Sequence, residues 1–483
     1  MNRFASCSLG MALFLSVVSC AVNPVSGTRE LMLISESQEL QLGHQTDKQV
    51  VEQYGLYQDA ALASRLDGLC KKLGKLSHRP HLPYQCKILD TPVVNAFAVP
   101  GGYVYFTRGI LAHLNSEAEL AGVMGHELGH VTARHSASQM SKAQLAQLGL
   151  GVGMIFSDGF RRFAQLAQFG VGMLFLKFSR DNERQADDLG VEYATKGGYD
   201  AAQMADFFKT LEGLHGSSDR SGLPDWFSTH PDPEDRQAAV RQKASVMRQA
   251  LGLKNPKIGR ESYLEAIDGL TFGENPREGY VEGQVFYHPE LRFQFPIPSG
   301  WSLQNTRTVV KMTSSGRDAA LLFTLASEGT PQSAGNRFIR KTGALILNSA
   351  HRQVNGLSVY RVTSRLAANQ GLLQILSHFI AKDGNVYAFH GVCAALKYPD
   401  HRGTFQRVLE AFKPLKDAQN ARVEPARIRI RSAPVSGSLK EVLVALAMPH
   451  GKLKALALLN GRALDDPVPK NTRLKIVEGT IRQ

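Results

Sequence analysis

His126-Glu127-Leu128-Gly129-His130 sets two imidazoles four residues apart, with a carboxylate directly after the first. On a helix, positions i and i+4 differ by about 400° of rotation and about 6 Å of rise. Both rings therefore leave the same face from adjacent turns. Two neutral imidazoles so placed reach one divalent ion at the roughly 2.0–2.1 Å that zinc prefers. Glu127 is turned about 100° away, beside the ion rather than among its ligands. There it can take a proton from metal-bound water and return it to a leaving amine. With 15 histidines in 483 residues, chance supplies roughly 0.02 such patterns per chain, so the rest of the sequence has to supply context.

A catalytic zinc takes three protein ligands and keeps one position open. The segment SRDNERQAD offers the third, because Glu183 and Asp187 are again i and i+4 on one helix face. Glu183 is the candidate ligand. Asp187 is the candidate acceptor for the outer N–H of a ligand histidine, which would fix that ring's tautomer. An acidic solvated face is the plain alternative. His230, in STHPDPEDR, is a candidate for stabilising a tetrahedral oxyanion, for capping the open metal position and holding the site off, or for an ordinary structural role. His135 lies five residues beyond His130, about 140° around a continuous helix, and reads as structural. Asn95, Ala96, Phe97 and Ala98 read as a strand just before the metal helix. As an edge strand it would hold a peptide substrate extended through main-chain hydrogen bonds; a plain core strand is the alternative.

The elements that must position these groups are legible from caps and turns. Ser35-x-x-Gln38 is a capping box, and Ser116-x-x-Glu119 opens the helix that carries His126 and His130. Pro100-Gly101-Gly102 should fold VNAFAV back on YVYFT as a hairpin. The apolar run Gln147–Phe178, interrupted by SDGFRR, reads as a helical hairpin, part core and part a lip or lid; each half is short of the roughly 20 residues that span a bilayer. HGSSDRSG (215–222) reads as a flexible loop and 252–282, rich in Pro, Gly and Lys, as a linker.

Four separated segments, NAFAVPGGYVYFTRGIL, ELAGVMGHELGHVTARH, SRDNERQADDLG and STHPDPEDR, resemble in order and spacing the gluzincin-type zinc metallopeptidases that include BepA, LoiP, HtpX and the CAAX prenyl proteases. The resemblance covers residues 23–260. It implies a mainly helical zincin-type domain with a small sheet and one zinc ion per chain. His126, His130 and Glu183 are the implied ligands, Glu127 the implied base and Asp187 an outer partner, and His230 is tied to zinc regulation. The implied activity is endopeptidase cleavage of unfolded or misassembled cell-envelope proteins in the periplasm.

The whole chain reads as a multidomain α+β protein. Residues 283–415 alternate strands with helices at 331–349 and 402–412 and resemble the PsbP-like α/β sandwich. Residues 426–480 read as strand, two short helices and closing strand, and resemble a divergent LysM module that lacks the usual Gly-Asp-Thr; peptidoglycan is the partner this implies. Net charge is +13, and residues 421–483 hold twelve basic against five acidic side chains, which favours an anionic surface or polymer. No aromatic-interleaved basic motif singles out nucleic acid. Residues 1–20 read as a signal peptide with a lipobox-like end, which points to a lipidated Cys20 and an outer-membrane anchor facing the periplasm. In that oxidising compartment Cys70 and Cys86 can form a bridge or remain two buried thiols. The rival to a peptidase is a cell-wall-binding assembly scaffold or chaperone-like lipoprotein with a vestigial or structural metal site; a zinc amidase acting on cell-wall peptides is a third reading.

Overall fold

The structure is a computed structural model and describes residues 20–147, 177–214, 225–231, 235–327, 329–368 and 371–479. The signal segment up to residue 19, nearly all of the Gln147–Phe178 run with its expected lip, and the 215–222 loop lie outside the described residues. Among the described residues no helix is long and apolar enough to cross a membrane.

The chain forms two compact units. The first comprises the chain up to about Leu270 together with Arg427–Glu478; the second is essentially Thr271–Ala426. In the first, strands β1 (Cys20–Val22) and β2 (Arg29–Leu31) pair antiparallel. Helix α1 (Glu36–Tyr54) starts as the capping box predicts: the Gln38 amide N–H donates to Ser35 Oγ, and the Ser35 N–H donates to Gln38 Oε1. Helix α2 (Ala60–Lys75) is capped by Asp59 and tied to β3 (Gln85–Leu89) by a Cys70–Cys86 disulfide, which settles the two cysteines as a bridge.

β4 (Ala96–Val99) and β5 (Tyr103–Thr107) form the expected hairpin, with Ala96 opposite Phe106 and Val99 opposite Tyr103. Gly101 and Gly102 turn it at φ of 83° and 94°, a region where a Cβ is strained. β3 runs parallel to β5, giving the order β3-β5-β4 with β4 at the edge. Helix α3 (Arg108–His113) leads to α4 (Glu117–Thr132), whose first turn is capped by Ser116 and every residue of which is buried. A helix apolar and small all round belongs inside a core, and the polar residues it carries there must find partners or a ligand. α5 (His135–Gln147), α6 (Arg180–Lys196), α7 (Gln203–Leu214), the single turn α8 (Trp226–Thr229), α9 (Arg236–Ala250) and α10 (Arg260–Ile267) complete this part.

Helix α10 corrects the expected 252–282 linker: its Tyr263 hydroxyl donates to the Leu111 carbonyl at 2.6 Å, and the stretch belongs to the first unit as far as Leu270. The second unit opens with β6 (Tyr280–Glu282), β7 (Val285–His288), β8 (Phe293–Pro296), β9 (Ser302–Asn305), β10 (Val309–Thr313) and β11 (Ala319–Ser327). α11 (Pro331–Thr342), β12 (Leu345–Val354), β13 (Leu357–Ala368), β14 (Gly371–Lys382), β15 (Asn385–Ala394), α12 (Tyr398–Glu410) and β16 (Lys413–Pro414) follow. They make a seven-stranded antiparallel sheet, β12-β13-β14-β15-β11-β10-β9, and a four-stranded one, β16-β8-β7-β6. Phe293, Phe295, Phe323, Phe389, Phe405 and Phe412 lie in their common core. The helix expected over 331–349 stops at Thr342, because Gly343 takes a left-handed φ of 70°. Residues 345–354 instead pair with β13, where cross-strand partners outweigh a weak helical spacing.

The chain then returns to the first unit. β17 (Arg427–Ser432), β18 (Gly437–Ser438), α13 (Leu439–Ala445), α14 (Leu453–Leu459), β19 (Pro467–Val468) and β20 (Arg473–Glu478) follow, with β17 paired to β20. The strand–helix–helix–strand order agrees with the sequence. It is joined to the rest of the first unit: Lys475 Nζ is buried and donates to the carbonyls of Ala112 and Leu114 at 2.7 and 2.8 Å. The Ile428 N–H donates to the Leu270 carbonyl at 2.8 Å. A long basic side chain serves here as a peg into the end of α3 rather than as surface charge.

Candidate metal centre

The site begins with glycine. α4 and α6 touch backbone to backbone: a Cβ on Gly125 would lie 2.8 Å from the Gly190 carbonyl oxygen, and one on Gly190 would lie 2.9 Å from the His126 nitrogen. This approach lets the short reach of Glu183, on the first turn of α6, meet two imidazoles on α4. α6 itself starts at a Ser179–Asn182 capping box.

His126, His130, Glu183 and His230 are all buried and offer ligand atoms within 4.8 Å of one another. His126 Nε2 and His130 Nε2 are 3.0 Å apart. Glu183 Oε2 is 3.5 Å from His126 Nε2 and its Oε1 is 3.5 Å from His130 Nε2. His230 Nδ1 lies 3.1 Å from Glu183 Oε1 and 3.3 Å from His126 Nε2. The turn α8 aims it: the His230 N–H donates to the Trp226 carbonyl, and the Trp226 indole stacks on its ring at 4.3 Å.

Outer partners set the protons. His126 Nδ1 is 2.8 Å from Asp187 Oδ1, and Arg236 grips both Asp187 oxygens at 2.8 and 2.7 Å. Burial works against the Asp187 charge, but Arg236 and then His126 outweigh it and hold its pKa below the usual carboxylate value. With Asp187 ionised, His126 donates from Nδ1, and its Nε2 is a lone pair aimed at the cluster. A second imidazole nitrogen and a carboxylate aim at the same point, and Glu183 Oε2 has no hydrogen-bond partner. Two imidazole nitrogens and a carboxylate converging in a buried site are what a cation satisfies. Nitrogen and carboxylate donors of this kind suit zinc.

Glu127 stands beside this cluster rather than in it. Both of its carboxylate oxygens lack hydrogen bonds, and Oε1 is 3.6 Å from His230 Nε2. Burial pushes its pKa up, with His230 and His126 pulling the other way. Burial disfavours the charged form of His230, but Glu183 and Glu127 outweigh it and raise its pKa. Burial, then His126 and His135, push His130 well down. Of the expected substrate strand, Asn95, Ala96 and Phe97 are buried and Ala98 is half-buried. Ala98, Val99 and Pro100 line a small cleft with His130.

Three residues that the sequence reading passed over or called structural stand at the site: Arg236, Trp226 and His135. Arg236 closes the STHPDPEDR segment, six residues past His230, and that spacing is the signal the sequence offers for it. A continuous helix would turn His135 away from His130; α4 instead ends at Thr132, and Arg134 takes a left-handed φ of 58°.

Helices α4 and α6 with this cluster define a zincin-type metallopeptidase domain. Residues 60–244 match Peptidase family M48. Metalloprotease YcaL of Escherichia coli (strain K12) is 31% identical over 182 residues, 37% of this chain and 68% of YcaL. The beta-barrel assembly-enhancing protease of the same strain is 29% identical over 233 residues, 47% of either chain. The chain thus spans about half the length of that curated relative. Among solved structures, cyanobacterial PsbP (CyanoP) from Synechocystis sp. PCC 6803 covers 27% of this chain and 91% of its own, with 18% identity and a TM-score of 0.25. The chain belongs to Peptidase family M48.

Proposed function

We propose that the protein is a zinc-dependent endopeptidase that cleaves unfolded or misassembled cell-envelope proteins. The observation that carries this reading is the convergence of four buried ligand atoms beside a buried carboxylate with no hydrogen bond of its own. His126, His130 and Glu183 would hold the ion. Zinc bound there supplies a Lewis acid that polarises the scissile carbonyl and acidifies water. Glu127 takes the proton of the attacking water and passes it to the leaving amine; its buried setting favours holding that proton between the two events. Asp187 and Arg236 keep His126 in the tautomer that leaves Nε2 free. The main chain at Ala98 and Val99, on the edge strand, is suited to hold the substrate extended along the cleft beside His130.

His230 in this conformation takes the fourth position around the cluster, which supports reading it as a cap that must swing away before water and substrate enter. The name of the beta-barrel assembly-enhancing protease supports an envelope substrate, and the signal-like N-terminus and Cys70–Cys86 bridge support the periplasm, with Cys20 as a lipid anchor. Glycan binding by 426–480 is a second role, favoured by the strand–helix–helix–strand order and its basic character; a peptidoglycan pull-down of the full chain tests it. For the peptidase reading, wild type and Glu127→Gln are compared for zinc content and casein hydrolysis. Bound zinc in both and hydrolysis only in the wild type is expected; hydrolysis by both, or zinc in neither, would overturn it.

A further inference from the structure

We propose that His135, backed by Gln185, is a positioning residue that fixes the tautomer and aim of His130. The inference rests on the metal-site reading above. Five residues on, His135 would face away from His130 on an unbroken helix. The stop at Thr132 and the left-handed Arg134 carry it back instead. Its ring meets that of His130 edge-on at 5.0 Å between centroids, with the two Nδ1 atoms 3.0 Å apart. Behind it, His135 Nε2 lies 2.9 Å from Gln185 Oε1. Gln185 is on α6, two residues past Glu183, so the chain of contacts ties one candidate ligand on α4 to the helix that supplies another.

The two Nδ1 atoms face each other outside the ligand cluster, so a shared proton joins them, whereas the equally close Nε2 atoms of His126 and His130 face the candidate ion. His130 Nε2 points at His126 and Glu183, so as a ligand it carries its only proton on Nδ1. His135 Nδ1 then accepts, its own proton sits on Nε2, and Gln185 Oε1 accepts that. Every ring nitrogen has one role in this assignment. The opposite assignment places a proton on His130 Nε2, between the candidate ligands, where it would exclude a cation. The two ligand histidines thus have unlike supports: an anion gripped by arginine behind His126, and a neutral ring behind His130.

The test uses the full chain with His135→Leu, which removes the acceptor at similar bulk, and His135→Asn, whose Oδ1 stands in for Nδ1. Zinc affinity is read by chelator competition, the cobalt-substituted site by its visible spectrum, and the fold by a melt of the metal-free protein. His135→Leu should bind zinc about 10–100-fold more weakly with an altered cobalt spectrum, and His135→Asn should recover most of that loss. Gln185→Leu, which leaves His135 in place, should weaken zinc in the same direction by a smaller factor, and it serves if His135→Leu does not fold. Wild-type affinity and spectrum in His135→Leu or, where that variant does not fold, in Gln185→Leu would overturn the proposal, as would His135→Asn binding no better than His135→Leu. Wild type that takes up no zinc would instead sink the metal-site reading on which it stands.

Discussion

Gly125→Ala puts the smallest possible obstacle where α4 and α6 touch. The new Cβ would lie 2.8 Å from the Gly190 carbonyl oxygen and 3.0 Å from its Cα, against about 3.4 Å or more for ordinary contact. Both atoms are backbone, so no rotamer change relieves the clash, and α6 has to retreat by about 0.6 Å locally. Overpacking of this kind costs about 1–3 kcal/mol, while alanine regains about 1 kcal/mol in a helix interior. The chain should therefore still fold. The displaced helix carries Glu183 and Asp187, and metal distances tolerate only about 0.2 Å. Zinc affinity is expected to fall at least about tenfold, the scale seen when ligand support is disturbed. Gly68→Ala is the control: it sits in α2 with nothing within 4 Å of the added carbon, so it should stabilise slightly and leave zinc alone. Chelator competition and circular-dichroism melts read both quantities. Gly125→Ala that binds zinc as tightly as wild type would refute the claim that this glycine contact brings the third ligand to the histidines.

Further expectations follow from the same contacts. His230→Ala should raise casein hydrolysis by the purified protein, since it removes the cap; equal or lower turnover would remove that idea. Lys475→Met leaves the Ala112 and Leu114 carbonyls without their buried donor and should cost about 1–3 kcal/mol, with 427–478 the first segment released in limited proteolysis; an unchanged melt and digest would refute it. His378 and His390 are both pushed down to about 4 by burial, against 6.5 for an ordinary histidine. Their folded forms bind fewer protons than the unfolded chain, so the stability of the second unit is full above pH 6.5 and falls as pH drops towards 4. At pH 5 each should cost on the order of 2 kcal/mol. Urea melts at pH 7 and 5, followed through Trp301 in a Trp226→Phe background, check this, and a pH-independent midpoint would contradict it.

Local signals carried much of the reading. The Ser35–Gln38 box, the Ser116 cap, the Pro100-Gly101-Gly102 turn and the i, i+4 spacing of His126 with His130 each span a handful of residues, and the structure has them as elements and faces. Glu183 and His230 are legible from residue type and spacing only as candidates among alternatives, because nothing within either segment says which distant helix it meets. What escaped was tertiary. His135 depends on a non-glycine residue taking a left-handed turn after Ala133, which no local composition marks. Residues 345–354 keep a helical look until β13 supplies partners. The basic tail reads as a surface for anionic partners until Lys475 is seen with its amine on carbonyls more than three hundred residues earlier.

That last connection has a bearing on timing. The first unit is interrupted in sequence by the whole of the second, and β20 is its final strand. A ribosome releases the metal-binding helices long before it releases the strand that anchors the end of α3. The metal-binding helices therefore have to wait, unfinished, until Arg473–Glu478 has emerged, and a chain that stalls or is clipped after the middle sheet would be left without that final support.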